Sequence, residues 1–150
     1  MNVSCGLLMY NHDSGLKVFL AHPGGPYWGG RDRGAWTVPK GAPHQDEPLL
    51  DAARREFHEE TGLDAVAPFT QLAAIRQKGG KIVYAWAFRG PLLVAPQCRS
   101  YFELEWPPHS GRRVSFPEVD QARYFSLDAA LDAIAPAQAP LLRELAACLV

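Results

Sequence analysis

The order of apolar and polar segments predicts an α/β fold in which a mixed sheet lies between helices. Three observations carry this reading. Short apolar or alternating runs, bounded by glycine and proline, stand on both sides of one strongly helical segment near residues 47–61. That segment places apolar and charged side chains at helical spacing. Two further helical stretches close the chain. At 150 residues the chain is long enough for a single domain, 1–150, with a sizeable core.

Taken in order, Val3 to Tyr10 is a mostly apolar first strand and Leu16 to His22 a second. Between them Asn11-His12-Asp13-Ser14-Gly15 has turn chemistry, which makes the pair a hairpin. Pro23 to Gly34 holds five glycines and two prolines and reads as a loop. A short extended piece, Ala35-Trp36-Thr37-Val38, ends at Pro39. The central helix is expected to begin near Asp46 or Glu47, with Asp46 as N-cap, Pro48 in the first turn and Gly62 as the stop. Thr70 to Gln77 and Lys81 to Phe88 form a second hairpin through Lys78-Gly79-Gly80. Tyr101 to Trp106 alternates aromatic and acidic residues as a strand would. Pro107 to Pro117 reads as loop, and Ala122 to Phe125 as a short last strand. Leu127 to Ile134, introduced by Ser126, and Pro140 to Leu149 are the closing helices.

Composition narrows the function. An apolar fraction of 47% is that of a folded domain rather than a disordered chain. A net charge of −1 without a run of like charge argues against binding polymeric nucleic acid, which calls for a basic stripe. No stretch reaches the roughly 18 apolar residues of a membrane span, so no membrane partner is expected. The three cysteines, Cys5, Cys98 and Cys148, lack metal-ligand spacing. Their odd number, without a signal peptide, suggests reduced thiols in a cytoplasmic protein.

The most informative stretch is GAPHQDEPLLDAARREFHEETGL, Gly41 to Leu63. On a helix Glu56, Glu59 and Glu60 fall at i, i+3 and i+4, on one face, with Cβ atoms roughly 5–6 Å apart. Three carboxylates so placed repel one another. A hard divalent cation removes the conflict, since Mg²⁺ takes oxygen ligands and shares its shell with water and substrate phosphates. Phe57, Ala53 and Leu50, at i, i−4 and i−7, form an apolar stripe that would face the sheet and turn the acids outward.

This stretch resembles the signature of the Nudix hydrolase family at all nine specified positions: Gly41, Glu47, Arg55, Glu56, Phe57, Glu59, Glu60, Gly62 and Leu63. The resemblance implies an α/β/α sandwich around a mixed β-sheet and a pyrophosphohydrolase dependent on Mg²⁺ or Mn²⁺. It implies that Glu56, Glu59, Glu60 and the Gly41 carbonyl hold the metal, and that Arg55 orients a glutamate by a salt bridge. The general base is either Glu59 or an acid from a later loop, for which Glu118 in Phe116-Pro117-Glu118-Val119 is the candidate.

The implied partner is a small-molecule nucleotide. Lys40 is a candidate phosphate contact, and Tyr27, Trp28 and Tyr84 are candidates for stacking on a base, the Tyr27-Trp28 loop serving as a lid. For Tyr84 core packing is an equal alternative. Trp36 to Gly41 and Lys81 to Ala87 resemble segments of the diadenosine polyphosphate hydrolase branch, although Ala42 stands where that branch commonly has histidine. The absence of proline about 15 residues past the signature argues against the ADP-ribose branch. The leading expectation is hydrolysis of a dinucleoside polyphosphate. ADP-ribose, nucleotide-sugar and nucleoside triphosphate substrates remain alternatives, as do an isoprenyl diphosphate isomerase and a non-catalytic nucleotide-sensing module.

Overall fold

The computed structural model describes residues 2–149. Its strands are β1 (Val3–Asn11), β2 (Lys17–Pro23), β3 (Lys40–Gly41), β4 (Thr70–Gln71), β5 (Ile75–Arg76), β6 (Ile82–Arg89), β7 (Tyr101–Glu105), β8 (Arg113–Pro117) and β9 (Val119–Ser126). Its helices are α1 (Leu49–Thr61), α2 (Leu127–Ala133) and α3 (Ala139–Cys148), with a 3₁₀ turn over Pro136–Gln138 before α3.

The main sheet runs β4-β6-β1-β2-β9, with β3 paired to β1 and β5 to β6. β1 and β6 are parallel from Val3↔Ile82 to Tyr10↔Arg89, whereas β1–β2 and β2–β9 are antiparallel, so the sheet is mixed. β1 is buried along nearly its whole length because both faces are covered. Cys5, Leu7 and Met9 pack with Ala52, Ala53 and Phe57 of α1, while Leu8 packs with Ala130, Leu141, Leu142 and Leu145 of α2 and α3. The result is a three-layer α/β/α sandwich. The apolar stripe of α1 packs against the sheet, with Ala53 and Phe57 fully buried and Phe57 meeting Phe88 edge-on at 5.3 Å. The expected outward turn of all three acids does not hold, since Glu60 is buried.

Several boundaries differ from the sequence expectation. Asp46 does not cap the helix; its φ is 63°, and α1 starts at Leu49 after an extended Pro48 that has no side-chain cap. The preceding turn uses its own polar groups. The Glu47 amide donates to the His44 carbonyl (3.1 Å), and the Glu47 carboxylate accepts from the His44 amide (2.9 Å). Gly62 does end the helix, at φ 72°, where a side chain would be strained and would strike the Gln97 carbonyl.

The expected strand Thr70 to Gln77 is two short pieces, β4 and β5, pairing different stretches of β6. The expected loop Pro107 to Pro117 contains β8, which pairs β7 from Tyr101↔Pro117 to Glu105↔Arg113. The last strand is eight residues long rather than four, since all of β2 lies beside it. Of the closing helices, α2 stops one residue short of Ile134, and α3 begins at Ala139, one residue ahead of Pro140, and ends at Cys148. No described helix is long and apolar enough to cross a membrane.

Candidate active site

Arg55 organises the acidic face of α1. Its Nε and Nη2 donate to the two oxygens of Glu47, each at 3.0 Å, a paired geometry that suits a planar guanidinium. Nη1 donates to Glu56 Oε1 (2.9 Å) and Glu59 Oε1 (3.2 Å), and Nη2 also reaches the Ala42 carbonyl (3.0 Å). One cation therefore ties three glutamates to the loop before the helix. The Arg55 bonds hold the Glu47 carboxyl well below the usual range, at about 2. Glu56 behaves oppositely: burial pushes its pKa up, against the pull of Arg55.

Gly41 lies where the loop touches this face. It pairs with Cys5 in the β1–β3 register, and a Cβ on it would overlap the Glu56 carboxyl. Only glycine lets the backbone carbonyl and that carboxylate share the space.

Glu60 points the other way, into the fold. Its residue is 6% exposed, and burial together with the neighbouring charge of Glu56 pushes its pKa up to about 8. Lys40 and Glu118 both act on it electrostatically, the first lowering and the second raising the pKa. Glu60, Glu118, Lys40 and Trp28 line one cavity of about 350 Å³, together with Thr37, Gln77 and Gln138. The cavity thus joins residues from the glycine-rich loop, β3, α1, the start of β9 and the turn before α3.

Glu118 reaches this place through its backbone. Its carbonyl accepts from Gly24 in the glycine-rich loop (3.0 Å) and its amide donates to the Ser100 carbonyl (3.0 Å). Lys40 has a lowered pKa, first from burial and then from Lys81 beside it. Two ammonium groups next to one another make a place for an anion.

Among the described residues no three His, Cys, Asp or Glu side chains converge as a ready-made metal cage. The physical cause is visible: Arg55 holds Glu56 and Glu59, and Glu60 turns inward. The donor set nevertheless fits a hard cation. Glu118 pushes the pKa of both Glu56 and Glu60 up, and Glu56 does the same to Glu60, a repulsion that a divalent ion relieves. Mg²⁺ needs only a few protein oxygens when water and phosphates complete its shell.

The other expected site residues are placed as follows. Trp28 lines the cavity and Tyr27 does not; Tyr27 is 57% exposed and meets Trp106 edge-on at 5.3 Å. Tyr84 packs on the α1 side of the sheet, in the cluster of Phe57 and Trp86, and does not line the cavity.

Sequence reasoning overlooked Lys81, Gln77 and Gln138, for which spacing offered no signal. It also had no means of seeing two thiols near the acids. Cys5 is buried opposite Gly41, and Cys98 borders a small cleft with Glu60, although both are remote from the signature in sequence.

The α/β/α domain thus sets a glycine-opened acidic helix beside a half-open cavity. The NUDIX domain profile matches residues 2–145. The fold is similar to the NUDIX domain of Shewanella oneidensis NrtR complexed with ADP ribose, at TM-score 0.72 and 18% identity over 100% of this chain and 89% of that one. It is similar to a C. elegans Ap4A hydrolase, at TM-score 0.65 and 20% identity over 97% of each chain. It is also similar to a MutT NUDIX hydrolase from Burkholderia pseudomallei, at TM-score 0.64 and 18% identity over 96% of this chain and 97% of that one. No curated protein matches the sequence. The chain belongs to the Nudix family, the pyrophosphohydrolases that act on phosphoric anhydrides.

Proposed function

We propose that this protein is a divalent-metal-dependent hydrolase that cleaves a diphosphate linkage in a nucleoside diphosphate derivative, with dinucleoside polyphosphates as the first-ranked substrates. The observation that carries the reading is the cavity in which Glu60, Glu118, Lys40 and Trp28 meet, alongside the Arg55 cluster. It offers an aromatic face for a base, the Lys40 ammonium for phosphates and carboxylates for a cation within one space.

Glu56, Glu59, Glu60 and the Gly41 carbonyl would hold Mg²⁺ or Mn²⁺. A divalent ion there supplies charge neutralisation at the phosphate oxygens and a lowered pKa for the attacking water. The side chains do the rest. Arg55 fixes the directions of Glu56 and Glu59. Lys40, with Lys81 behind it, binds the phosphate chain, and Trp28 covers the base. Water attacks phosphorus, the anhydride P–O bond breaks, and a carboxylate accepts the water's proton. Glu59, partly exposed beside Arg55, and Glu118, which lines the cavity, are the two candidate acceptors for that proton. The unpaired thiols suit a reducing, cytoplasmic setting.

A second reading has a specific support: the NrtR NUDIX domain carries ADP ribose, so an ADP-ribose hydrolase or an ADP-ribose-sensing module is the rival. Incubation with Mg²⁺ and a panel of diadenosine tetraphosphate, ADP-ribose, a nucleotide sugar and nucleoside triphosphates, with phosphate products followed, tests both. Fastest release from the tetraphosphate supports the first ranking, and faster release from ADP-ribose overturns it. Tight ADP-ribose binding without turnover points to a sensor.

A further inference from the structure

We propose that Gln77, held in one orientation by the buried Gln138, reads the adenine of a substrate nucleoside lying under Trp28. The inference rests on the reading above in one respect only, that a nucleotide enters this cavity. Gln138 is fully buried, and its Oε1 accepts from the Val38 backbone amide at 2.9 Å. A backbone N–H only donates, so the atom facing it must be oxygen. The Gln138 Nε2 therefore lies at the other end, where it donates to Gln77 Oε1 at 3.3 Å. One main-chain amide thus sets the orientation of two side chains 61 residues apart.

The consequence is a directed edge. The Gln77 NH₂ is turned away from Gln138, and among the described residues no acceptor takes its protons. Its oxygen keeps a second lone pair. Its backbone is pinned as well, donating to the Lys81 carbonyl (2.7 Å) and accepting from the Gly80 amide (3.1 Å) at the tip of the β5–β6 hairpin. A donor and an acceptor side by side match adenine N7 and its N6 amino group. Guanine offers two acceptors on that edge, N7 and O6, so one of them would face the Gln77 oxygen. Gln77, Gln138 and Trp28 line the same cavity of about 350 Å³, near the small end of ligand pockets and of a size that suits one nucleoside.

The test compares diadenosine and diguanosine tetraphosphate as substrates in Mg²⁺, using wild type, Gln77→Leu and Gln138→Glu. A second readout follows the Gln77 side-chain amide resonances during titration with AMP and with GMP. Wild type should favour adenine in kcat/KM by roughly 10- to 100-fold, carried mainly by KM. Gln77→Leu should bring the ratio near one.

Gln138→Glu keeps the bond from Val38 but presents no donor to Gln77, so the Gln77 amide should turn over and the ratio should again collapse. Equal rates for the two substrates in wild type, or a preference that survives in Gln77→Leu, overturns the proposal. If neither tetraphosphate is cleaved, the dinucleoside polyphosphate ranking fails, and the titration still decides this one. Shifts of the Gln77 amide with AMP and not GMP uphold it; equal shifts, or none, refute it.

Discussion

Glu60 ties stability, pH and metal binding together in one measurable group. It is buried, and its pKa moves from an ordinary 4.5 to about 8 in the metal-free fold, chiefly through burial and then through Glu56. Below pH 4.5 both folded and unfolded chains hold the proton, and the neutral acid contributes its full stability. As pH rises toward about 8 the unfolded chain releases the proton first, so that contribution is lost. At about 1.4 kcal/mol per pH unit the full loss is on the order of 5 kcal/mol. For a domain of this size that amounts to roughly 10–20 °C in Tm.

The assay is thermal unfolding in EDTA from pH 5 to 8.5 for wild type and Glu60→Gln. The amide is neutral at every pH, so the difference between the two curves reports Glu60 together with its coupling to Glu56 and Glu118. Wild type should lose stability relative to the variant as pH rises across this window. Mg²⁺ should reverse the trend at pH 7, because a cation selects the carboxylate and its binding should release a proton, visible as a buffer-dependent heat. Parallel curves for the two proteins, or metal binding without proton release, would refute the reasoning.

Other consequences are simpler to state. Glu59→Gln should cut kcat by roughly 10²–10⁴-fold while circular dichroism stays unchanged; near-wild-type turnover in this variant, or in EDTA, counts against the metal assignment. Gly41→Ala places a methyl group in the Glu56 carboxyl and should cost on the order of 100-fold in activity with the sheet intact, checked by kinetics beside a melting curve. Trp28→Ala should raise KM roughly 5- to 150-fold with little change in kcat, from lost stacking of about 1–3 kcal/mol. Tyr27→Ala, whose ring leans on Trp106 instead of lining the cavity, should have the smaller effect, and an equal effect would mean that the two rings act together.

What the sequence determined by itself is the local chemistry. Helical geometry brings Glu56 and Glu59 together beside Arg55, and Leu50, Ala53 and Phe57 say which face must be buried, whereas the burial of Glu60 does not follow from spacing. The Asn11–Gly15 and Lys78–Gly80 turns were legible for the same reason, since glycine and short polar residues act within a few positions. Where local signals competed, the tertiary context won. Asp46 had the composition of a cap, but Glu47 and His44 satisfy that turn and Glu47 is drawn to Arg55. β8 has no strand pattern strong enough to stand alone and exists because β7 lies beside it. The cavity was the least visible part. Trp28, Lys40, Glu60, Gln77, Glu118 and Gln138 are scattered along the chain, and only the packing of the sheet between its helices brings them to one place. Long-range juxtaposition of that kind depends on strand order and crossover, which side-chain periodicity does not encode.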